Sequence, residues 1–190
     1  CIDIHNGCVK QIVGGSLADK NSAADENFVS EYGGGYYAEL YKSRGLPGGH
    51  IIILNPAGSE YYEADRRQAF AALEKYPLGL QIGGGVNADN AAEYISRGAS
   101  HVIVTSYVFK DGKISFDRLE KLCSAVGKDR VVLDLSCRRR DGKYYIVTDR
   151  WQKFTDTEVT AESIEMLRGY CDEFLIHAVD VEGKQHGIES

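Results

Sequence analysis

Residues 131–147 read VVLDLSCRRRDGKYYIV, and residues 1–15 read CIDIHNGCVKQIVGG. Both stretches share one layout: an apolar run, an aspartate within it (Asp134, Asp3), a turn with glycine at its second place (Asp141-Gly142, Asn6-Gly7), and a second extended run. A carboxylate inside a buried strand costs several kcal/mol unless it is paired or used. The expectation is that the two acids face each other across one pocket.

Further β-branched runs occupy residues 50–54, 78–84, 101–106 and 173–181, with strand-like runs also at 1–4 and 130–136. Periodic, helix-like segments lie between them at 35–43, 60–74, 88–96, 117–125 and 161–170. Ala88-Asp89-Asn90 reads as a helix start, and Ser115 stands where an N-cap would precede a helix closing near Gly127. Continuous apolar strands, each followed by a helix, predict an α/β fold with a parallel sheet covered on both sides.

Six βα units leave an open doubly wound sheet or a barrel. Asp3 and Asp134 are 131 positions apart, which equates strand one with strand five and fits four βα units per repeat. The predicted fold is therefore a (βα)8 TIM barrel, whose functional groups come from strand C-termini. A second full repeat would end near residue 265, so only about the first six units are expected within residues 1–190, as a single, C-terminally incomplete domain with strands seven and eight absent. A bare six-stranded arc would expose edges and an apolar inner face. The native polypeptide is expected to continue, or to be completed by a partner chain.

The net charge of −6 lacks the basic footprint of a nucleic-acid surface. Arg138-Arg139-Arg140 reads as a solvated loop face or an anion-capturing cluster. Five scattered cysteines without a C-x-x-C suit reduced thiols in the cytoplasm. The sequence shows no 18-residue apolar run and no signal-peptide pattern, so no membrane role is expected.

In QIGGGVNADN (81–90), Gly83, Gly84 and Gly85 follow a strand and precede a helix. Their bare N–H groups could hold a phosphate, or the run could be a tight βα turn. Thr105 and Ser106 end the next strand and could serve the same phosphate, or cap a helix. Two carboxylates flanking a sugar can divide general-base and general-acid work. His177 is either a ligand contact or structural; Asp180 and Glu182 are candidates for an auxiliary acid or substrate contact. His5 and His186 fall in expected loops, His50 and His101 at the far end of the barrel. No spacing among the histidines matches a metal site. Trp151 is an apolar plug or a lid that stacks on substrate.

Together CIDIHNG, QIGGGVN, VIVTS, DRVVLDLSCR and FLIHA resemble the phosphoribosylformimino-5-aminoimidazole carboxamide ribotide isomerases of histidine biosynthesis, in their eukaryotic-type branch. The resemblance implies an Amadori rearrangement of an aminoaldose to an aminoketose, with no metal or organic cofactor, on a small-molecule bisphosphate, by an enzyme that is monomeric when full length. It makes Asp3 the general base and Asp134 the residue of ring opening or positioning. Asp180 or Glu182 would be the acid after strand six, and Gly84, Gly85, Thr105 and Ser106 one phosphate site. Asn87 and Ala178 stand where bacterial members carry Arg and Thr. The second phosphate site, from strands seven and eight, lies outside residues 1–190, so this stretch alone is expected to turn over little.

The alternatives are the sister cyclase of the same pathway and a non-catalytic phosphate-ligand binder. The cyclases place Lys eight residues after the first Asp, where this sequence has Gln11; Lys10, one residue short, is expected on the other face.

Overall fold

A computed structural model describes residues 1–12, 26–149 and 151–181. The first strand, β1 (Ile2–His5), turns through Asn6 and Gly7, both with positive φ (52° and 77°), into β2 (Cys8–Ile12). Two consecutive left-handed residues make the turn whose twist matches paired strands, and Asn-Gly supplies them at low cost. β3 (Glu26–Val29) pairs with β2. Then follow α1 (Gly34–Ser43), β4 (Gly49–Ile53), α2 (Tyr62–Lys75), β5 (Leu80–Gly83), α3 (Ala91–Ser96) and β6 (Val102–Val104).

A small hairpin, β7 (Phe109–Lys110) and β8 (Lys113–Ile114), precedes α4 (Phe116–Val126). The ten-residue strand β9 (Val131–Arg140) turns at Asp141-Gly142 (φ 54° and 81°) into β10 (Lys143–Thr148), which pairs with β11 (Lys153–Glu158). α5 (Ala161–Leu167) and β12 (Glu173–Ala178) complete the series.

Six of these strands form a parallel sheet in chain order: β1, β4, β5, β6, β9, β12. Doubly wound sheets reverse direction at a switch point; this one does not. The expected α/β class and parallel sheet are present, and both expected hairpins follow their aspartate-bearing strands. Among the described residues no pairing joins β12 back to β1.

Alternation along each strand separates the two faces. Ile2, Ile4, Ile51, Leu80, Ile82, Val102, Val104, Val131, Leu133 and Leu135 are buried at 3% exposure or less, in one core with Ala38, Leu73, Tyr94, Leu119 and Leu122 of the helices. The alternate positions carry Asp3, His50, Gln81, Thr105, Asp134, Ser136, Glu173 and His177. The inner face thus carries many polar groups beside Ile52, Ile103 and Val132, where an apolar inner face was expected.

One helix start differs from expectation. α3 begins at Ala91 because the Asn87 side chain accepts the N–H groups of Asp89 and Asn90 at 2.8 and 3.2 Å, holding 88–90 as a turn. Ser115 does occupy the N-cap of α4, but its side chain makes no cap bond; the reciprocal cap lies at Thr160 and Ser163 of α5.

Candidate active site

Above the C-terminal ends of β4, β5, β6 and β9 lies a cavity of about 580 Å³. Gly84, Gly85, Thr105, Ser106, Asp134 and Trp151 all line it, together with Asn55, Asp149 and Lys153.

Asp134 is placed by register. Parallel pairing of β9 with β6 runs from Val131 to Leu133 and stops, so the next residue projects at the mouth. Thr105 Oγ1 donates to Asp134 Oδ2 at 2.8 Å, and Ser136 Oγ lies 2.9 and 3.1 Å from the two carboxylate oxygens. Burial pushes the Asp134 carboxyl above its usual range, outweighing those hydrogen bonds and the nearby His177. Burial thus favours the neutral form of this carboxyl more than in an exposed aspartate.

Ser136 is fully buried and binds His177 Nδ1 at 3.1 Å and Trp151 Nε1 at 3.2 Å. The Trp151 ring meets that of His177 edge-on, with centroids 5.4 Å apart at 78°. In this structure Trp151 is therefore a wall of the cavity. Ser136 escaped the sequence reading; its spacing of two from Asp134 on one strand was the available signal.

The three consecutive glycines have three different reasons. A β carbon on Gly83 would crowd Ile52 and Ile103 at 3.0 and 3.1 Å, and one on Gly84 (φ 96°) would collide with the backbone of Ile53. Gly85 (φ 69°) faces open space, with nothing within 4 Å of a β carbon. Gly85 is thus the glycine with room for a ligand. Thr105, expected to serve the same phosphate, gives its hydroxyl proton to Asp134, and Ser106 Oγ accepts the backbone N–H of Asp149 at 3.1 Å.

Asp3 is not among the residues lining the cavity. It accepts the Cys1 thiol at 2.8 Å. It nonetheless bears on the same interior as Asp134: the His50 imidazole is lowered, chiefly by burial, against smaller opposing pulls from Glu173, Asp134 and Asp3. Lys10 stands directly across from Asp3 in the β1–β2 register, so the two share a face; the expectation that Lys10 turns away is corrected by this pairing.

Asp180 binds the strand-five hairpin, accepting from Arg138 Nε at 2.8 Å and from the backbone N–H of Arg139 at 3.1 Å. Arg140 lies over the rings of Tyr145 and Phe154, at 4.4 and 4.7 Å. Glu182 and His186 lie outside the described residues. His5 ends β1 and is 3% exposed, where a loop was expected. His101 is structural, between Ser100 and Asp172. Among the described residues no group of three His, Cys, Asp or Glu is placed to hold a metal, and no helix is long and apolar enough to cross a membrane.

A family model described as "Histidine biosynthesis protein" matches residues 1–190. Curated relatives named 1-(5-phosphoribosyl)-5-((5-phosphoribosylamino)methylideneamino)imidazole-4-carboxamide isomerase include one from Medicago truncatula, named as chloroplastic, 53% identical over 193 residues. Others come from Yarrowia lipolytica, at 51%, and Saccharomyces cerevisiae, at 47%. Each match takes in 100% of this chain, which spans 60% of the Medicago relative's length and 70% of each of these two fungal ones. With sequence motifs, strand order and whole-chain matches in agreement, the chain belongs to the histidine biosynthesis protein family, alongside relatives that are named as its imidazole-carboxamide isomerase.

Proposed function

We propose that this chain carries the acid–base site of an isomerase of histidine biosynthesis, an intramolecular oxidoreductase that converts a phosphoribosylformimino aminoaldose to its aminoketose. The carrying observation is Asp134, set in the cavity with its carboxyl raised by burial and held by Thr105 and Ser136. The raised carboxyl is suited to protonate the ribose ring oxygen as the ring opens to an iminium. Asp3 then takes the proton from the sugar C2, giving an enolamine; protonation at C1 with loss of the C2 hydroxyl proton yields the ketone at C2. Each positioned proton transfer contributes about 10²–10⁴-fold, and phosphate contacts supply orientation.

Gly85, open to the cavity, supports a phosphate site in company with Gly84, Thr105 and Ser106. On this reading Thr105 must turn its hydroxyl from Asp134 to the phosphate when substrate arrives. The six strands in chain order support the eightfold barrel, in one domain, of which they would be the first six. The ligand is a small-molecule bisphosphate, and the full-length enzyme a monomer. Cytoplasmic residence rests on the odd, scattered cysteines.

The test uses the full-length protein. Asp3→Asn and Asp134→Asn should each lower kcat by about 10²–10⁴-fold. Unchanged turnover in either variant overturns that residue's role, and a wild-type protein that binds the aminoaldose without converting it overturns the reaction.

A further inference from the structure

Ser136 sits at a junction. Its oxygen is within hydrogen-bond distance of Asp134 (2.9 and 3.1 Å), His177 Nδ1 (3.1 Å) and Trp151 Nε1 (3.2 Å). A hydroxyl has one proton and two lone pairs, and an indole N–H only donates, so Trp151 occupies one lone pair. Two arrangements remain. With Asp134 ionised, the carboxylate only accepts; Ser136 gives its proton to Asp134 and takes that of His177 Nδ1. With Asp134 protonated toward Ser136, the hydroxyl turns to His177, whose Nδ1 must then accept, leaving the ring proton on Nε2. Each charge state of Asp134 thereby fixes whether His177 Nδ1 carries a proton.

The geometry points to Ser136 and His177 as a proton relay that recharges Asp134 from the imidazole. The relay rests on the reading of Asp134 as the isomerase's acid. In the charging step, the Ser136 O–H bond breaks as its proton passes to Asp134. The His177 Nδ1–H bond breaks as that proton replaces it on Ser136. An imidazolium becomes a neutral ring protonated on Nε2, a carboxylate becomes a carboxylic acid, and Ser136 ends unchanged. The imidazolium is formed beforehand by a solvent or buffer acid.

Such a route has a purpose, because a substrate filling the cavity closes the direct path from water to Asp134. The parallel register sets Ser136 directly beside His177, so two neighbouring strands hold the relay. Other titratable groups face Asp134. His50 on β4 and Glu173 on β12 belong to the interior that also includes Asp3. Asp149 and Lys153 line the cavity and pair with each other at 2.6 Å.

The decisive experiment is nitrogen-15 NMR of histidine-labelled full-length protein, with kinetics of two variants. At about pH 9, ligand-free His177 should carry its proton on Nδ1, and Ser136→Ala should abolish that preference. His177→Asn retains a donor toward Ser136 but cannot relay a proton. It and Ser136→Ala should lose about tenfold or more in kcat, with KM within about twofold of wild type. A neutral His177 protonated on Nε2 at that pH, or His177→Asn turning over like wild type, overturns the relay. An inactive wild-type protein would instead overturn the isomerase reading, while the nitrogen spectrum still decides the direction of the hydrogen bonds.

Discussion

The backbone carbonyl of Ile53 occupies the space into which a β carbon on Gly84 would project. Strand β4 and the turn after β5 are therefore in direct backbone contact beside the cavity. Gly84→Ala should cost about 3 kcal/mol or more, since backbone atoms must move and φ is 96°. Gly85→Ala meets nothing and bears only the left-handed penalty of about 1–2 kcal/mol. Urea unfolding of both variants checks the order; equal losses would refute the contact.

Asp134 makes stability depend on pH in a stated direction. An ordinary Asp titrates at about 4, and burial raises this one. Between those two values the folded state binds more protons than the unfolded chain. The stability contribution is then complete below about pH 4 and is lost as pH rises through the folded value. Asp134→Asn lacks the slope. Unfolding free energies at about pH 4, 5.5 and 7 should show wild type losing ground to the variant as pH rises; a constant difference would refute it.

Asp65 of α2 has no exposed surface and accepts the backbone N–H of Gly7 at 2.6 Å. Asn55, which lines the cavity, exchanges hydrogen bonds of 2.8 and 2.9 Å with Asn6. These contacts tie the turn after the Asp3 strand to the cavity wall. Asp65→Ala leaves a part-buried N–H unmatched and should cost about 1–3 kcal/mol, whereas Asp65→Asn keeps an acceptor and should cost less. Thermal unfolding of the pair measures the difference.

Asp180 holds Arg138 and the backbone of Arg139 with its two oxygens. Both partners of the ion pair are about a third exposed, so breaking it should cost about 1 kcal/mol or less. Asp180→Asn should keep kcat within about tenfold of wild type, short of the loss typical of a general acid. A drop of about a thousandfold would make Asp180 the auxiliary acid instead of the hairpin's anchor.

Much of this was legible locally. Asn6-Gly7 and Asp141-Gly142 announced hairpins because Asn-Gly and Asp-Gly favour positive φ at both central positions. β-branched runs announced the parallel strands, and the spacing of Asp3 and Asp134 set both in strands that a hairpin follows. The Asn87 turn was misread as helix, since its side chain competes with the helix for the same N–H groups. Thr105, grouped with a phosphate by its place at a strand end, also donates a hydrogen bond to Asp134, a contact the sequence did not show.

Strand identity, turn chemistry and the positions of the acids rest on the backbone preferences of a few adjacent residues, and these the sequence determined by itself. Tertiary structure alone decided that Ser136 meets His177, that Ile53 abuts Gly84 and that Asp180 joins Arg138. Those meetings depend on the register between strands distant in the chain. A shift of one residue there would turn every side chain to the opposite face.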